Sequence, residues 1–271
     1  MYIEKSYQAH REHFENLFEK EREKRLAPDV TNLRPLGILK PLFIQRKKWL
    51  TIGDFNGTEA NYIKNHNQEV TASNITDVFL KEAFKRGAID SYSEQNVESL
   101  TYEDGEYDYV MMKETYHHLP RPYLALYEML RVCKEAAVVV AEPIDILSKM
   151  SSLVLVKNIL DKINPVLINR IWKNRISYEH FSNDEKVNYV YKISEREIEK
   201  LAAALRLPLV AFKSQNVNSS RTYRIISSLK IIPQNSLACI IFKKFPSDEV
   251  LKNLKQKRYK IVSNTYVSSV T

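Results

Sequence analysis

Trp49-Leu50-Thr51-Ile52-Gly53-Asp54-Phe55-Asn56-Gly57-Thr58-Glu59-Ala60 is the stretch that decides the fold class. A short apolar run reads as a buried strand that ends at Gly53, and a helix opens near Gly57. The chain has 5 glycines in 271 residues, yet two of them fall at this one strand-to-helix turn. Glycine at such a place permits positive φ and lets a ligand approach bare main chain, and a helix N-terminus favours anions. A tight turn with no ligand would use the same two glycines. The stretch lacks G-x-x-x-x-G-K-[ST], which gives no support to a nucleoside triphosphate loop. Phe55 fills the second position of G-x-G-x-x-G, so the dinucleotide fingerprint is incomplete.

Outward from this turn the pattern repeats. Glu69 to Ala72 reads as a second strand, Thr76 to Arg86 as a helix closed by Gly87, and Ile89 to Tyr92 as a third strand. Tyr107 to Met112 is a fourth strand after the turn Glu103-Asp104-Gly105. Arg121 to Cys133 is a helix and Ala137 to Ala141 a fifth strand, apolar without interruption. Strands and helices that alternate, with strands apolar on both faces, predict a parallel, doubly wound α/β sheet. Ser194 to Leu205 reads as a helix opened by a capping box, Ser194 with Glu197. Leu209 to Lys213 and Leu237 to Phe242 complete an expected seven strands.

Residues 1–48 are expected to be an N-terminal helical extension or lid, its helix over 3–26 carrying Tyr7, Phe14, Leu17 and Phe18 near one face, followed by an irregular Pro-rich link over 27–47. Residues 49–245 form the main domain, with a basic, helix-like insertion over 146–190, and 246–271 read as a basic tail. Lys+Arg number 41 against 33 Asp+Glu, a formal charge of +8 that favours an anionic partner without demanding one. A composition 44% hydrophobic and 27% charged is that of a globular chain and excludes wholesale disorder. Cys133 and Cys239 are far apart and form no disulfide framework; two reduced, buried thiols in a cytoplasmic protein are expected. The most apolar stretch, Ile146 to Trp172, is broken by Lys149, Lys157, Asp161 and Lys162, which argues against a membrane span but leaves peripheral contact open.

The set of motifs resembles class I S-adenosylmethionine-dependent methyltransferases of the type 11 kind. Leu50 to Ala60 is similar to their first motif, Val70 to Thr76 to the end of the second strand, and Asn96 to Tyr102 to the adenine-contacting stretch. Tyr107-Asp108-Tyr109-Val110, Lys113 to Pro120, Leu126 to Val132 and Ala141-Glu142-Pro143 continue the likeness through the fifth strand. The resemblance implies a Rossmann-like methyltransferase fold, S-adenosylmethionine as cofactor, and a methyl group moved by in-line displacement to a small-molecule or glycan acceptor, with a hydroxyl favoured. It implies cofactor-binding roles for Gly53, Asp54, Phe55, Gly57, Asn74, Asn96, Val97, Lys113 and Glu114. Asp54 would meet the amino group of the methionine end. Departures are Thr51, Asn74 and Asn96 where acids are usual, and Phe55 where glycine is usual. They motivate a rival, a non-catalytic protein of this fold; an RNA methyltransferase is the other, on charge alone.

A hydroxyl acceptor needs a base, and His suits neutral pH. His117 and His118, beyond the fourth strand, are the candidates, at most one of them facing substrate, with Glu114 as a third catalytic candidate. A structural histidine that caps the next loop, and a Glu114 ion pair with Lys113 or Arg121, are the bland alternatives. Glu142 and Asp145 could hold substrate or metal; their spacing is ordinary loop chemistry and no metal is expected. His10 and His13 could share a helix face as ligands, but without partners at metal spacing they read as solvated surface. Tyr2, Tyr7, Tyr178, Tyr189 and Tyr191 are candidates for lid contacts to a polar substrate or for plain core, and Arg170, Lys173 and Arg175 form a basic cluster that could bind a phosphate, a nucleotide-sugar or an acidic glycan, or be a solvated helix face. The sequence is silent on oligomeric state.

Overall fold

The computed structural model describes residues 2–26, 33–144, 155–156, 159–160, 162–164, 191–217, 221–229 and 234–264. Helix α1 (Tyr2–Leu26) leads, with non-helical backbone at Glu21. A 3-10 helix (Arg34–Leu42) follows, then β1 (Lys48–Ile52), α2 (Thr58–Lys64), β2 (Glu69–Asn74), α3 (Val78–Lys85), β3 (Tyr92–Glu94) and β4 (Tyr107–Lys113). A 3-10 turn (Tyr116–His118) leads to α4 (Pro122–Val132) and β5 (Cys133–Pro143). After the insertion come α5 (Glu195–Ala204), β6 (Leu209–Gln215), α6 (Arg221–Ser228), β7 (Ser236–Phe242), α7 (Asp248–Gln256) and β8 (Lys260–Ser263).

The strands form one sheet in the order β3-β2-β1-β4-β5-β7-β6-β8. β3, β2, β1, β4 and β5 pair in parallel, β7 lies antiparallel between β5 and β6, and β8 pairs antiparallel with β6. Residues alternate between two cores, as the period of a strand requires. Tyr109, Met111, Val138 and Val140 face one, with Leu36 and Leu39 of the first 3-10 helix, Ile63 of α2, Leu80 of α3 and Leu254 of α7. Val110, Met112, Ala137 and Val139 face the other, with Leu126 and Met129 of α4 and Ile198 and Leu201 of α5. The expected doubly wound α/β sheet is therefore present, covered by helices on both faces.

Three differences follow from packing that periodicity does not reveal. The link over 27–47 holds the first 3-10 helix, in which Pro35, Leu36, Ile38, Leu39, Pro41 and Leu42 are buried under the sheet. The third strand begins at Tyr92, and Ile89 is a buried residue before it. The stretch read as a basic tail supplies α7 and an eighth strand. The Tyr259 hydroxyl donates to the Ile38 carbonyl, and Lys260 Nζ lies 2.9 and 3.0 Å from Glu195 and Glu199. The capping box of α5 forms as read: Ser194 Oγ accepts from the Glu197 N–H, and the Ser194 N–H donates back to the Glu197 carboxylate. Cys133 and Cys239 are free and buried; burial pushes the Cys133 thiol up to about 12. Among the described residues no helix is long and apolar enough to cross a membrane.

Candidate active site

The carboxyl ends of β1, β2 and β4 converge where the strand order reverses, the usual place for a ligand in an open α/β sheet. A cavity of about 580 Å³ opens there. Its lining includes Gly53 and Phe55 after β1, Asn74 at the end of β2, and Asn96 and Val97 from the loop before β4. Lys113, Glu114 and His118 come from the exit of β4, and Tyr7, His10, His13 and Phe14 from α1.

The first turn is built from within. Gly53 has φ 71° and Gly57 φ 77°, a region that favours glycine. A Cβ on Gly53 would fall on the Thr115 side chain; one on Gly57 would sit 2.9 Å from Ile89 Cγ2 and 3.3 Å from Ala83 Cβ. Gly57 thus serves helix packing and does not line the cavity. Asp54 is also turned away from it: its carboxyl accepts from Thr51 Oγ1 (3.0 Å), the Ala60 N–H (2.7 Å) and the Glu59 N–H (3.3 Å). It closes the orphan donors of α2. Burial, and then the neighbouring Glu59 carboxylate, push Asp54 well above the usual carboxylate range. The expected meeting of Asp54 with a cofactor amino group is not what this side chain does.

Phe55 stands where the resembled motif has glycine, and the structure supplies the reason. Its ring stacks on Phe14 of α1 (centroids 5.8 Å, 19°) and meets Phe79 of α3 edge-on (5.3 Å, 83°). Phe18 meets Phe79 at 5.0 Å and 85°. The four rings hold α1 against the first turn and α3, so that its Tyr7, His10, His13 and Phe14 line the cavity.

Asn74 is buried, its amide donating to the Thr76 carbonyl at 3.2 Å, and Asn96 Oδ1 accepts from the Glu98 N–H at 3.0 Å. Lys113 Nζ bridges two carboxylates, Glu59 at 3.1 Å and Glu114 at 2.8 Å. Burial alone would lower the Lys113 ammonium, but the two anions outweigh it and hold it above its ordinary value. Glu114 has φ 49°, left-handed backbone at the rim of the site. Glu59 lies outside the set read from sequence; the signal was its place two residues into α2.

The adjacent histidines part company. His117 is buried, and its Nδ1 donates to Glu142 Oε2 at 2.6 Å. The fully buried Glu142 carboxylate also accepts from the N–H groups of Thr115 (2.8 Å), Tyr116 (3.0 Å) and His117 (3.3 Å). Both residues read as catalytic or ligating candidates therefore hold the 3-10 turn in place. His118 lines the cavity beside Leu119, its ring 3.8 Å from that of His117 and 6.5 Å from that of His10. His10 and His13 are not solvated surface: they line the cavity, His10 Nδ1 donating to the Ser6 carbonyl at 2.9 Å. Asp145, the insertion's Arg170, Lys173, Arg175, Tyr178 and Tyr189, and the Tyr2 side chain lie outside the described residues. Among the described residues no group of three or more His, Cys, Asp or Glu is placed to hold a metal ion.

A family model described as a methyltransferase domain matches residues 50–141. No curated protein matches the sequence. Solved structures do match in fold. A Burkholderia thailandensis 1,6-didemethyltoxoflavin-N1-methyltransferase, with 1,6-didemethyltoxoflavin and S-adenosylhomocysteine bound, has a TM-score of 0.57 and 13% identity over 90% of this chain and 91% of its own. The methyltransferase in a Haloferax volcanii complex with the Trm112 methyltransferase activator gives 0.54 and 9%, over 90% and 99%. An S-adenosylmethionine-dependent methyltransferase from Methanosarcina mazei gives 0.50 and 16%, over 75% and 95%. Residues 50–141 thus match a methyltransferase-domain model, and the chain has the fold of class I, S-adenosylmethionine-dependent methyltransferases.

Proposed function

We propose that the chain binds S-adenosylmethionine in this cavity and transfers its methyl group to a small-molecule or glycan acceptor, with a hydroxyl favoured. The observation that carries the reading is the cavity itself. Its volume suits a ligand of this size, and Phe55 leaves it open because its ring is drawn aside between α1 and α3.

The residues present fit the nucleoside. Asn74 would meet the ribose hydroxyls, Asn96 and the Val97 backbone the adenine, and Gly53, Lys113 and Glu114 the methionine end. A carboxamide both donates and accepts, so those contacts persist without the charge of an acid, at a loss of about 1 kcal/mol each. The bound nucleoside would supply a methyl activated by its sulfonium. The protein's own share is positioning: α1 covers the cavity and excludes water, and Glu142 with His117 fixes the 3-10 turn that carries His118. His118, which lines the cavity, would take the acceptor's proton, and His117, bonded to Glu142, would act as a positioning residue.

Titration calorimetry with S-adenosylmethionine and S-adenosylhomocysteine tests the reading; saturable binding at micromolar concentrations is expected, and none at millimolar ligand refutes it. The same measurement separates the non-catalytic alternative, which the substitutions at Thr51, Phe55, Asn74 and Asn96 motivate.

A further inference from the structure

We propose that Glu59, Lys113 and Glu114 form a net-negative floor that selects the charged sulfonium nucleoside over its neutral thioether product. The inference rests on the function proposed above and adds to it a residue, Glu59, and a direction of selectivity.

All three side chains line the cavity, and they are 12%, 6% and 30% exposed. One ammonium lies between two carboxylates, at 3.1 and 2.8 Å, so the cluster carries one uncompensated negative charge. Asp54, whose carboxyl is pushed up by burial and then by the Glu59 carboxylate, cannot cancel this charge: protonated it adds none, and ionised it adds a second negative one. Glu59 itself is held below the usual carboxylate range despite its burial, by the hydrogen bond from Asp54 and then by Lys113. Lys24 also lines the cavity, but its side chain is 79% exposed and sits 3.9 Å from Glu21, so its field is screened.

S-adenosylmethionine carries a sulfonium, an ammonium and a carboxylate, a net charge of +1. Its demethylated product keeps the ammonium and carboxylate and is neutral overall. Lys113 can face the carboxylate, which leaves the two glutamates to the positive groups. The surplus charge then distinguishes substrate from product by sign, at the place where the methyl group is lost. One unpaired charge acting across a few ångströms of partly wet protein is worth about three- to tenfold in affinity.

The test is titration calorimetry at pH 8, where ordinary histidines are neutral. The probes are S-adenosylmethionine, S-adenosylhomocysteine, sinefungin (an amine in place of the methylated sulfur, hence cationic) and 5′-methylthioadenosine, which lacks the amino-acid end. The wild type should bind the two cationic ligands about three- to tenfold more tightly than S-adenosylhomocysteine. Glu114→Gln should bring that ratio close to one while leaving 5′-methylthioadenosine binding unchanged. Glu59→Gln should do the same and weaken all three amino-acid-bearing ligands, with circular dichroism as the check on folding. If Glu59→Gln does not fold, Glu114→Gln decides alone. A wild-type ratio of one or less, or a ratio that the folded variants leave unchanged, overturns the charge selection and leaves the proposed function standing. A wild type that binds none of the probes overturns the proposed function, and this inference with it.

Discussion

Removing the Glu142 carboxylate should unseat the turn that carries the histidines. Its two oxygens accept from three backbone N–H groups and from His117 Nδ1, and it is fully buried. Glu142→Ala strands all four donors. A buried donor without a partner costs about 1–3 kcal/mol, and water entering the vacated space recovers part of the total. A net loss of about 3–5 kcal/mol is expected, the size seen when one partner of a buried charged pair is deleted. Glu142→Gln should be milder. Its carbonyl can still accept from Thr115 and Tyr116, and His117 can switch tautomer so that Nδ1 accepts from the new amide. Only the His117 N–H, already long at 3.3 Å, loses its acceptor, and about 1–2 kcal/mol is expected. Urea unfolding reads the difference. With a slope of about 3 kcal/mol/M, Glu142→Ala lowers the midpoint by about 1–1.7 M and Glu142→Gln by about 0.3–0.7 M. Nitrogen-15 shifts of the His117 ring report the tautomer. An alanine variant within about 1 kcal/mol of wild type, or equal losses in both variants, would refute the assignment of this carboxylate as the brace of the turn.

Phe55→Ala should loosen α1 selectively: it costs about 2 kcal/mol, less than a fully buried ring, and speeds amide exchange in α1 but not in β5; unchanged α1 exchange would contradict the aromatic clasp. Gly57→Ala should cost about 2–3 kcal/mol in thermal unfolding, since its φ of 77° disfavours a side chain and its Cβ lands 2.9 Å from Ile89; a loss below about 0.5 kcal/mol would remove the steric argument. Asp54 carries a pH signature. Its folded carboxyl is pushed up by burial and by Glu59, so it binds its proton more readily folded than unfolded. That contribution is complete below the unfolded value near 4 and is lost as pH rises through the folded value. Asp54→Asn mimics the protonated form, so urea-derived stability should shift in the variant's favour from pH 4 to pH 8; a constant difference would contradict the assignment.

The layers of the fold were legible because continuous apolar strands alternating with amphipathic helices admit few other arrangements. The site was legible to the level of segments. Gly53, Phe55, Asn74, Asn96, Val97, Lys113, Glu114 and His118 do meet around one cavity. Orientation was not legible, because it is set by partners distant in sequence. Asp54 turns inward to the donors of α2, His117 turns to Glu142 across 25 residues, and Gly57 answers to Ile89. His10 and His13 looked solvated because a helical face reveals its partner only once the helix is docked. Phe55 read as damage to a glycine motif; beside Phe14 it is the seat of a helix that the motif alone does not encode.

The bond from Tyr259 to Ile38 closes a loop of 221 residues. Closure entropy grows only slowly with loop length, but contacts of such sequence separation slow folding more than local ones do. The parallel half of the sheet, built from nearer neighbours in sequence, is then expected to pair before the segment leading from α1 is tethered. Until that tether forms, the cavity and the face of α1 that lines it are open together. Whatever ligand the crevice takes is in a position to act as a folding template, and refolding yield should rise with its concentration.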